Sequence, residues 1–373
     1  MRSIAVALCA VAIGGAPLVA AAQSAPDSSS TTDDSTQAGS TPPASPFTFS
    51  GYLAGSYDDF DTTPALRAFD TRKRGLVFNQ AAATFAFLPT SGFGGQVTMI
   101  GGEDAKILRM SEKWPPPSHG SPYDLFNAWV QYAAGPLTLM AGKFATLAGA
   151  EYTNPTLDAL VSRSLLFQTL EPLTHTGVRA VYTVSPALSI TGGINNGWNF
   201  VSKPSGEGQT AELGASGTVG SFTYAATMYR GDSPLFGGNP VGVLQLVDLV
   251  GTWNASSTWS FSSNVDLLSK AGAASGGGTG HAKGLALYAT WMPSAHWQAA
   301  LRGETVDDSD GLVTGIPGNT VNEASIAGSY LPSKSWRLSV ELRRDHSDQP
   351  YLMKSGQPVR DQTSLELQAI WMF

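Results

Sequence analysis

Cysteine is nearly absent. The single one, Cys9, stands inside an apolar N-terminal stretch, so residues 23–373 can form no disulfide. Charge is scarce as well: Asp, Glu, Lys and Arg make up 14% of the chain, well below the usual quarter. So little charge in 373 residues means either a large dry core or a second apolar surface facing something other than water. The net charge of −7 argues against a nucleic-acid partner. Beyond residue 22 no apolar run approaches eighteen residues, which excludes a spanning helix there.

What is present begins with an export signal. Arg2 supplies a positive start, Ile4 to Val19 an apolar run, and Ala20-Ala21-Ala22 a small-residue cleavage site, which predicts a signal peptide over 1–22 cut before Gln23. Residues 23–46 are Ser, Thr, Asp, Pro and Ala with almost nothing apolar to bury, and they predict a disordered periplasmic linker.

From Phe47 to Phe373 the chain alternates. In the last segment Thr363, Leu365, Leu367, Ala369, Trp371 and Phe373 share one parity, and Gln362, Ser364, Glu366 and Gln368 the other. Period two is the signature of a strand with one apolar and one polar face. The runs from Trp259, Trp297 and Trp336 repeat the code, with charges confined to the second parity. Tight turns such as Ala255–Thr258, Pro293–His296 and Pro332–Ser335 exchange strictly with long connections such as Asp58–Arg74, Gly102–Pro122 and Ala145–Thr176. Aromatics flank the tight turns as an interfacial girdle would (Tyr132, Tyr182, Phe222, Trp253, Trp259, Trp291, Trp297, Tyr330, Trp336, Trp371). Short turns on one side, long loops on the other and an even strand count predict an all-β, antiparallel, up-and-down transmembrane barrel of about sixteen strands. Only the first three segments are weakly written; Leu76–Leu88 mixes its parities.

The longest connection, Ala145–Thr176, follows the fifth strand and is expected to fold into the lumen. Asn154-Pro155 reads as a cap and first turn, predicting a short helix over Thr156–Phe167. The loop brings Glu151, Asp158 and Arg163 toward inward-parity charges of the wall: Arg179, Arg302, Glu304, Arg337, Glu341, Arg343 and Arg360. These are the expected constriction residues, an acidic loop facing a largely basic wall on the thirteenth, fifteenth and sixteenth segments. The whole inward set is too balanced for a strong ion preference. The five histidines, His119, His175, His281, His296 and His346, show no paired ligand spacing, and no nucleophile elbow, zincin or phosphate-cradling motif is present. No metal, cofactor or enzymatic activity is expected.

Gly142-Lys143-Phe144, Gly149, Glu151, Asn154, Ser162-Arg163-Ser164-Leu165-Leu166-Phe167, Pro172, His175-Thr176-Gly177-Val178-Arg179, Tyr182 and Asn195-Asn196-Gly197-Trp198-Asn199 resemble the β-barrel porin-2 family of Gram-negative outer-membrane proteins. The specific likeness spans about Tyr123 to Asn199, and the strand rhythm extends it loosely over 47–373. It implies a pore-forming channel exported to the outer membrane. The last strand, ending Trp371-Met372-Phe373, also resembles the closing strand of such proteins, whose terminal Phe is part of the signal read by the barrel-assembly machinery. The expected partners are outer-membrane lipid and lipopolysaccharide, that machinery, small hydrophilic solutes and, in a homotrimer, further copies of the chain. The function expected is passive diffusion of small hydrophilic solutes or ions. The alternative is a surface adhesin or receptor that uses the barrel only as an anchor.

Overall fold

A computed structural model describes residues 47–112, 120–203, 208–232 and 242–373. The expected signal peptide over 1–22 with Cys9, the expected linker over 23–46 and His119 lie outside the described residues. Among the described residues eighteen strands are formed. The first seven are β1 (Phe47–Phe60), β2 (Arg74–Phe87), β3 (Gly92–Gly101), β4 (Tyr123–Ala134), β5 (Leu137–Ala145), β6 (Thr174–Ser185) and β7 (Leu188–Asn195). Then come β8 (Thr210–Val219), β9 (Phe222–Asp232), β10 (Val243–Asn254), β11 (Trp259–Lys270), β12 (Gly280–Ser294), β13 (Trp297–Asp308), β14 (Asn319–Ser333) and β15 (Trp336–Ser347). The chain ends with a short hairpin, β16 (Leu352–Lys354) and β17 (Gln357–Val359), and the final strand β18 (Asp361–Met372).

Sixteen of these, all but the hairpin, close into one antiparallel barrel in which each strand pairs with its chain neighbours and β18 closes against β1. The expected barrel is therefore the observed one. Closure is completed by the last residue: the Gly51 N–H donates to the Phe373 carbonyl at 2.9 Å, and the Phe373 N–H returns to Gly51 at 3.0 Å. Both ends of the barrel chain thus share the rim of the tight turns.

The alternation divides the wall as the sequence predicts. Leu267, Leu285, Leu287, Leu301, Ile326, Leu338, Val340, Leu342, Leu365 and Leu367 are exposed on the outer face, while Asp266, Arg302, Glu304, Arg337, Glu341, Arg343 and Glu366 are buried inside. Around the tight-turn rim the outward aromatics touch one another, with ring centroids 4.8 Å apart for Trp297 and Tyr330, 5.7 Å for Trp259 and Trp291, and 4.9 Å for Trp371 and Phe373. An apolar belt capped by an aromatic girdle is the outer surface of a barrel in lipid. Among the described residues no helix is long and apolar enough to cross a membrane.

The mixed parity of the second segment has a local cause. In the β1–β2 ladder Ala54 pairs with Gln80 and Gly55 with Phe78, leaving Asn79 as an extra residue. This β-bulge points Asn79 and Gln80 inward in succession, so Leu76 and Phe78 on one side of it and Phe85 on the other all face outward. Phe126 is the extra residue of a second bulge, in β4 opposite Thr98 and Met99.

Connections on the far rim are not bare loops. The one after β3 carries helix α1 (Glu103–Ser111), not expected from the alternation, with Glu103 and Asp104 in its first turn and Arg109 in its last suiting the helix dipole. Its buried Ala105 and Leu108 pack with Phe69, Ile100, Phe126 and Phe167 inside the barrel. Residues 146–173 join β5 to β6. The helix expected over 156–167 does not form as one piece. Asn154 does cap, its side chain accepting from the Thr156 N–H, but the turn it opens is a single 3-10 turn, Pro155–Leu157. The chain then runs extended and forms a short α2 (Leu165–Thr169), capped by the Ser164 side chain. Wall side chains hold the intervening peptide groups, and that tertiary hold outweighs local helix preference.

Candidate functional site

The site begins as a problem of like charges. Alternation brings Glu304 of β13 opposite Glu323 of β14, Glu323 opposite Asp345 of β15, and Glu341 of β15 opposite Glu366 of β18. All are buried, and directly opposed like charges are destabilising. Two inward arginines lie among them. Arg302 reaches Glu323 at 3.1 Å and Glu304 at 3.5 Å, and Arg343 holds Asp345 at 2.6 Å and Glu323 at 3.6 Å. The connection after β1 contributes a third, Arg67, 3.3 Å from Glu366. Both Arg302 and Arg343 are wholly buried, where unpaired charge costs several kcal/mol.

The remaining donors and acceptors of this wall are spent on residues 146–173. Arg302 reaches Glu151 at 2.7 Å and donates to the Ser162 carbonyl at 3.0 Å. Arg343 donates to the Arg163 carbonyl at 2.5 Å, and Arg337 to the carbonyls of Asp158, at 2.6 Å, and Pro155. In the opposite sense Glu341 accepts from the N–H groups of Val161 at 2.5 Å and Ser162 at 3.1 Å, and from the Ser162 hydroxyl. Glu304 accepts from the Leu165 N–H at 2.8 Å, at the start of α2, where a negative charge is favoured. From the other side Gln80 donates to the Thr153 carbonyl at 2.9 Å, Asn264 accepts from the Ala150 N–H at 2.8 Å, and the Tyr229 hydroxyl accepts from the Leu147 N–H at 2.9 Å. The apolar side of α2 rests on β12 at Gly284, where a Cβ would stand 2.7 Å from Leu166. The connection is thus tied to inward side chains around much of the barrel.

Within it Arg163 pairs with Asp158 at 3.1 Å. Burial, with Glu151 alongside, pushes the Asp158 carboxyl up to about 7 against the pull of Arg163. Burial likewise raises the Glu171 carboxyl well above its ordinary value, and Asp248 and Glu151 add to the effect. In α1, Asp104 accepts from Gln80 at 2.8 Å and is pushed by burial up to about 7.

Of the residues singled out from sequence, Glu151, Asp158, Arg163, Arg302, Glu304, Arg337, Glu341 and Arg343 come together here. Two do not. Arg179 of β6 pairs with Glu212 of β8 at 2.5 Å and lies over the Phe144 ring at 4.0 Å, forming a separate pair. Arg360 precedes β18 and is exposed, because the alternation begins only with the strand itself at Asp361. Glu323, Asp345 and Ser162 belong to the centre of the cluster and Arg67 to its edge. Inward parity marks Glu323 and also Asp345, two residues beyond Arg343 in β15, whereas Ser162 and Arg67 carry no local signal. The expected acidic loop and basic wall are in direct contact here, and their charges are paired.

A closed sixteen-strand barrel with an apolar outer belt, an aromatic rim and a charged interior is an outer-membrane barrel of the porin class. The chain belongs to the family described as "Putative beta-barrel porin-2, OmpL-like", which matches residues 46–373. None of the curated protein sequences matches it. Its fold is similar to the outer membrane channel DcaP of Acinetobacter baumannii, at 12% identity and TM-score 0.61, over 88% of this chain and 97% of that one. An anion-selective porin from Comamonas acidovorans is similar at 10% identity and TM-score 0.63, over 88% and 99%. So is the trimer form of OmpT of Vibrio cholerae, at 12% identity and TM-score 0.58, over 88% and 99%. At these identities the likeness is one of fold. Family and fold place the chain in the outer membrane and are those of a channel rather than an enzyme.

Proposed function

We propose that this porin admits small hydrophilic solutes or ions by passive diffusion, and that residues 146–173 form its constriction together with Arg302, Glu304, Arg337, Glu341 and Arg343. The observation that carries the reading is the capture of loop peptide groups from Pro155 to Leu165 by inward side chains of β13 and β15. A loop so fastened is a fixed obstruction in the lumen, and solute must pass between it and the rest of the wall. Paired charges on both sides favour water and hydrophilic solutes without imposing one strong sign.

Single-channel recording of the refolded protein in a planar bilayer tests this. Deleting Thr156–Leu170 should raise conductance and blunt selectivity. Glu151→Gln with Asp158→Asn should shift the reversal potential toward anions in a salt gradient, with a modest change in conductance, because charge in a narrow low-dielectric passage is weakly screened. Unaltered conductance in the deletion removes the loop from the constriction.

The signal peptide over 1–22, the periplasmic linker over 23–46, contact with lipopolysaccharide and reading of Phe373 by the barrel-assembly machinery belong to the same proposal. So does a homotrimer. In its support, the outer wall over β4–β7 has a concave apolar surface lined by Val130, Tyr132, Leu139, Val178, Gly192 and Ile194. Mass photometry of detergent-extracted protein would register the trimer.

A further inference from the structure

One pair of opposed acids has no arginine. Asp248 of β10 and Asp266 of β11 are register partners, both inward and both fully buried. Glu171 comes down on them from the 146–173 connection, itself buried, so that oxygens of all three carboxylates lie within 4.8 Å of one another. Elsewhere in this wall every comparable concentration of acid carries a guanidinium. Here no ion pair among the described residues involves any of the three. Both oxygens of Asp266, both of Glu171 and one of Asp248 are buried without a hydrogen-bond partner. The other oxygen of Asp248 accepts from Asn264 at 2.7 Å, and Asn264 is fixed in turn by the Ala150 N–H.

The surroundings supply little compensation beyond the Asn264 amide and the Gly149 peptide N–H at Asp248, and the three carboxyls otherwise face one another. Leu170, Leu246 and Leu268, neighbours of the acids in sequence, belong to the apolar cluster within the barrel. Gly149, at φ 95°, leaves room where any side chain would strike Glu171: a Cβ there would stand 2.0 Å from its Oε2. Three carboxylates turned toward one point in a dry setting, with oxygen atoms to spare, must hold either protons or a cation.

We propose that Glu171, Asp248 and Asp266 bind one divalent cation of the calcium class, fastening the 146–173 connection to β10 and β11 as Arg302, Arg337 and Arg343 fasten it to β13 and β15. The donors are all hard oxygens, which select Ca2+ or Mg2+ over metals that prefer nitrogen or sulfur. The closed, buried lining favours Ca2+, which accepts a cage of protein oxygens in flexible geometry, whereas Mg2+ gives up its water reluctantly and is seldom held by an all-protein cage. No spacing in the sequence announces the site, since its three residues come from a loop and two strands. It does not depend on conduction, so it can be decided on a barrel whose channel activity is unknown.

The test uses the full chain, refolded, freed of metal with EDTA and dialysed. Elemental analysis and calorimetric titration with CaCl2 should find about one Ca2+ per chain, with MgCl2 binding at least about ten-fold more weakly. Calcium should raise the temperature at which the compact, heat-modifiable form unfolds. Asp266→Asn should weaken Ca2+ binding at least about ten-fold and make that temperature indifferent to EDTA, and Glu171→Gln should behave alike. Folded wild-type protein that takes up no Ca2+ overturns the proposal and leaves the cluster to protons. Undiminished binding in folded Asp266→Asn overturns it too, by placing the ion elsewhere. If a variant fails to fold, stoichiometry and the response to EDTA of the wild-type protein still decide.

Discussion

Glu341 is the residue on which the loop's backbone depends most. From the loop it accepts hydrogen bonds from two peptide N–H groups and one hydroxyl, and Glu341→Ala would leave these three donors buried without that partner. Orphaned donors cost about 1–3 kcal/mol each, partly relieved if the loop lifts away. Expected for Glu341→Ala is a folded barrel with a noisier open-channel current and rapid tryptic cleavage after Arg163; Glu341→Gln, which keeps an acceptor oxygen, should fall between it and wild type. Quiet current and intact Arg163 in the alanine variant would show that the loop holds without this anchor. Asp104 gives the pH dependence. Its folded value of about 7 lies above its ordinary 3.8, so between those values the folded state binds more protons than the unfolded one. Stability from this group is therefore greatest at low pH and is lost as pH rises toward and through 7, by at most about 1.4 kcal/mol per pH unit. Asp104→Asn should flatten the pH dependence of the thermal transition between pH 5 and 8 and raise its midpoint at pH 8. An unchanged profile would assign that dependence to other carboxylates.

Among elements, β2 makes the sharpest prediction. Because Asn79 is an extra residue, removing it restores plain alternation without turning any other side chain over. Removing Ala83 from the same strand would turn every residue on one side of the cut to the wrong face. Deletion of Asn79 should therefore yield heat-modifiable, membrane-inserted barrel, and deletion of Ala83 little or none; equal yields would refute the account of the bulge. The same residue explains why the second segment resisted reading. A period of two is legible only where it is unbroken, as in β13, β15 and β18, and one inserted residue erases it over the length of a strand. Helix α1 was legible in its terminal charges. The site was half legible: parity picks out Arg302, Glu304, Arg337, Glu341 and Arg343, but which loop groups they meet is decided by closure of the barrel, not by spacing along the chain. Arg360 shows the limit, since parity has no meaning beyond the end of the strand that carries it.

For the whole molecule, the lack of cysteine over 23–373 makes orientation a clean experiment. Ser275→Cys, in the long connection after β11, should react with a membrane-impermeant maleimide in intact cells. Ser257→Cys, in the tight turn after β10, should react only after lysis. The reverse pattern would invert the barrel. Removing Phe373 takes away both of its hydrogen bonds to Gly51 and a ring packed on Trp371, so the seam between β1 and β18 should close less often. Less heat-modifiable protein at unchanged export is the expected outcome. The fastenings of residues 146–173 also impose an order in time. This segment is synthesised before any of β10 to β15, yet its partners Asn264, Arg302, Arg337, Glu341 and Arg343 all lie on those later strands. Contacts so distant along the chain form late. On the proposed reading the obstruction would therefore be made early and seated only after the later strands that hold it have formed, so the growing wall would stand for a time with its passage unguarded.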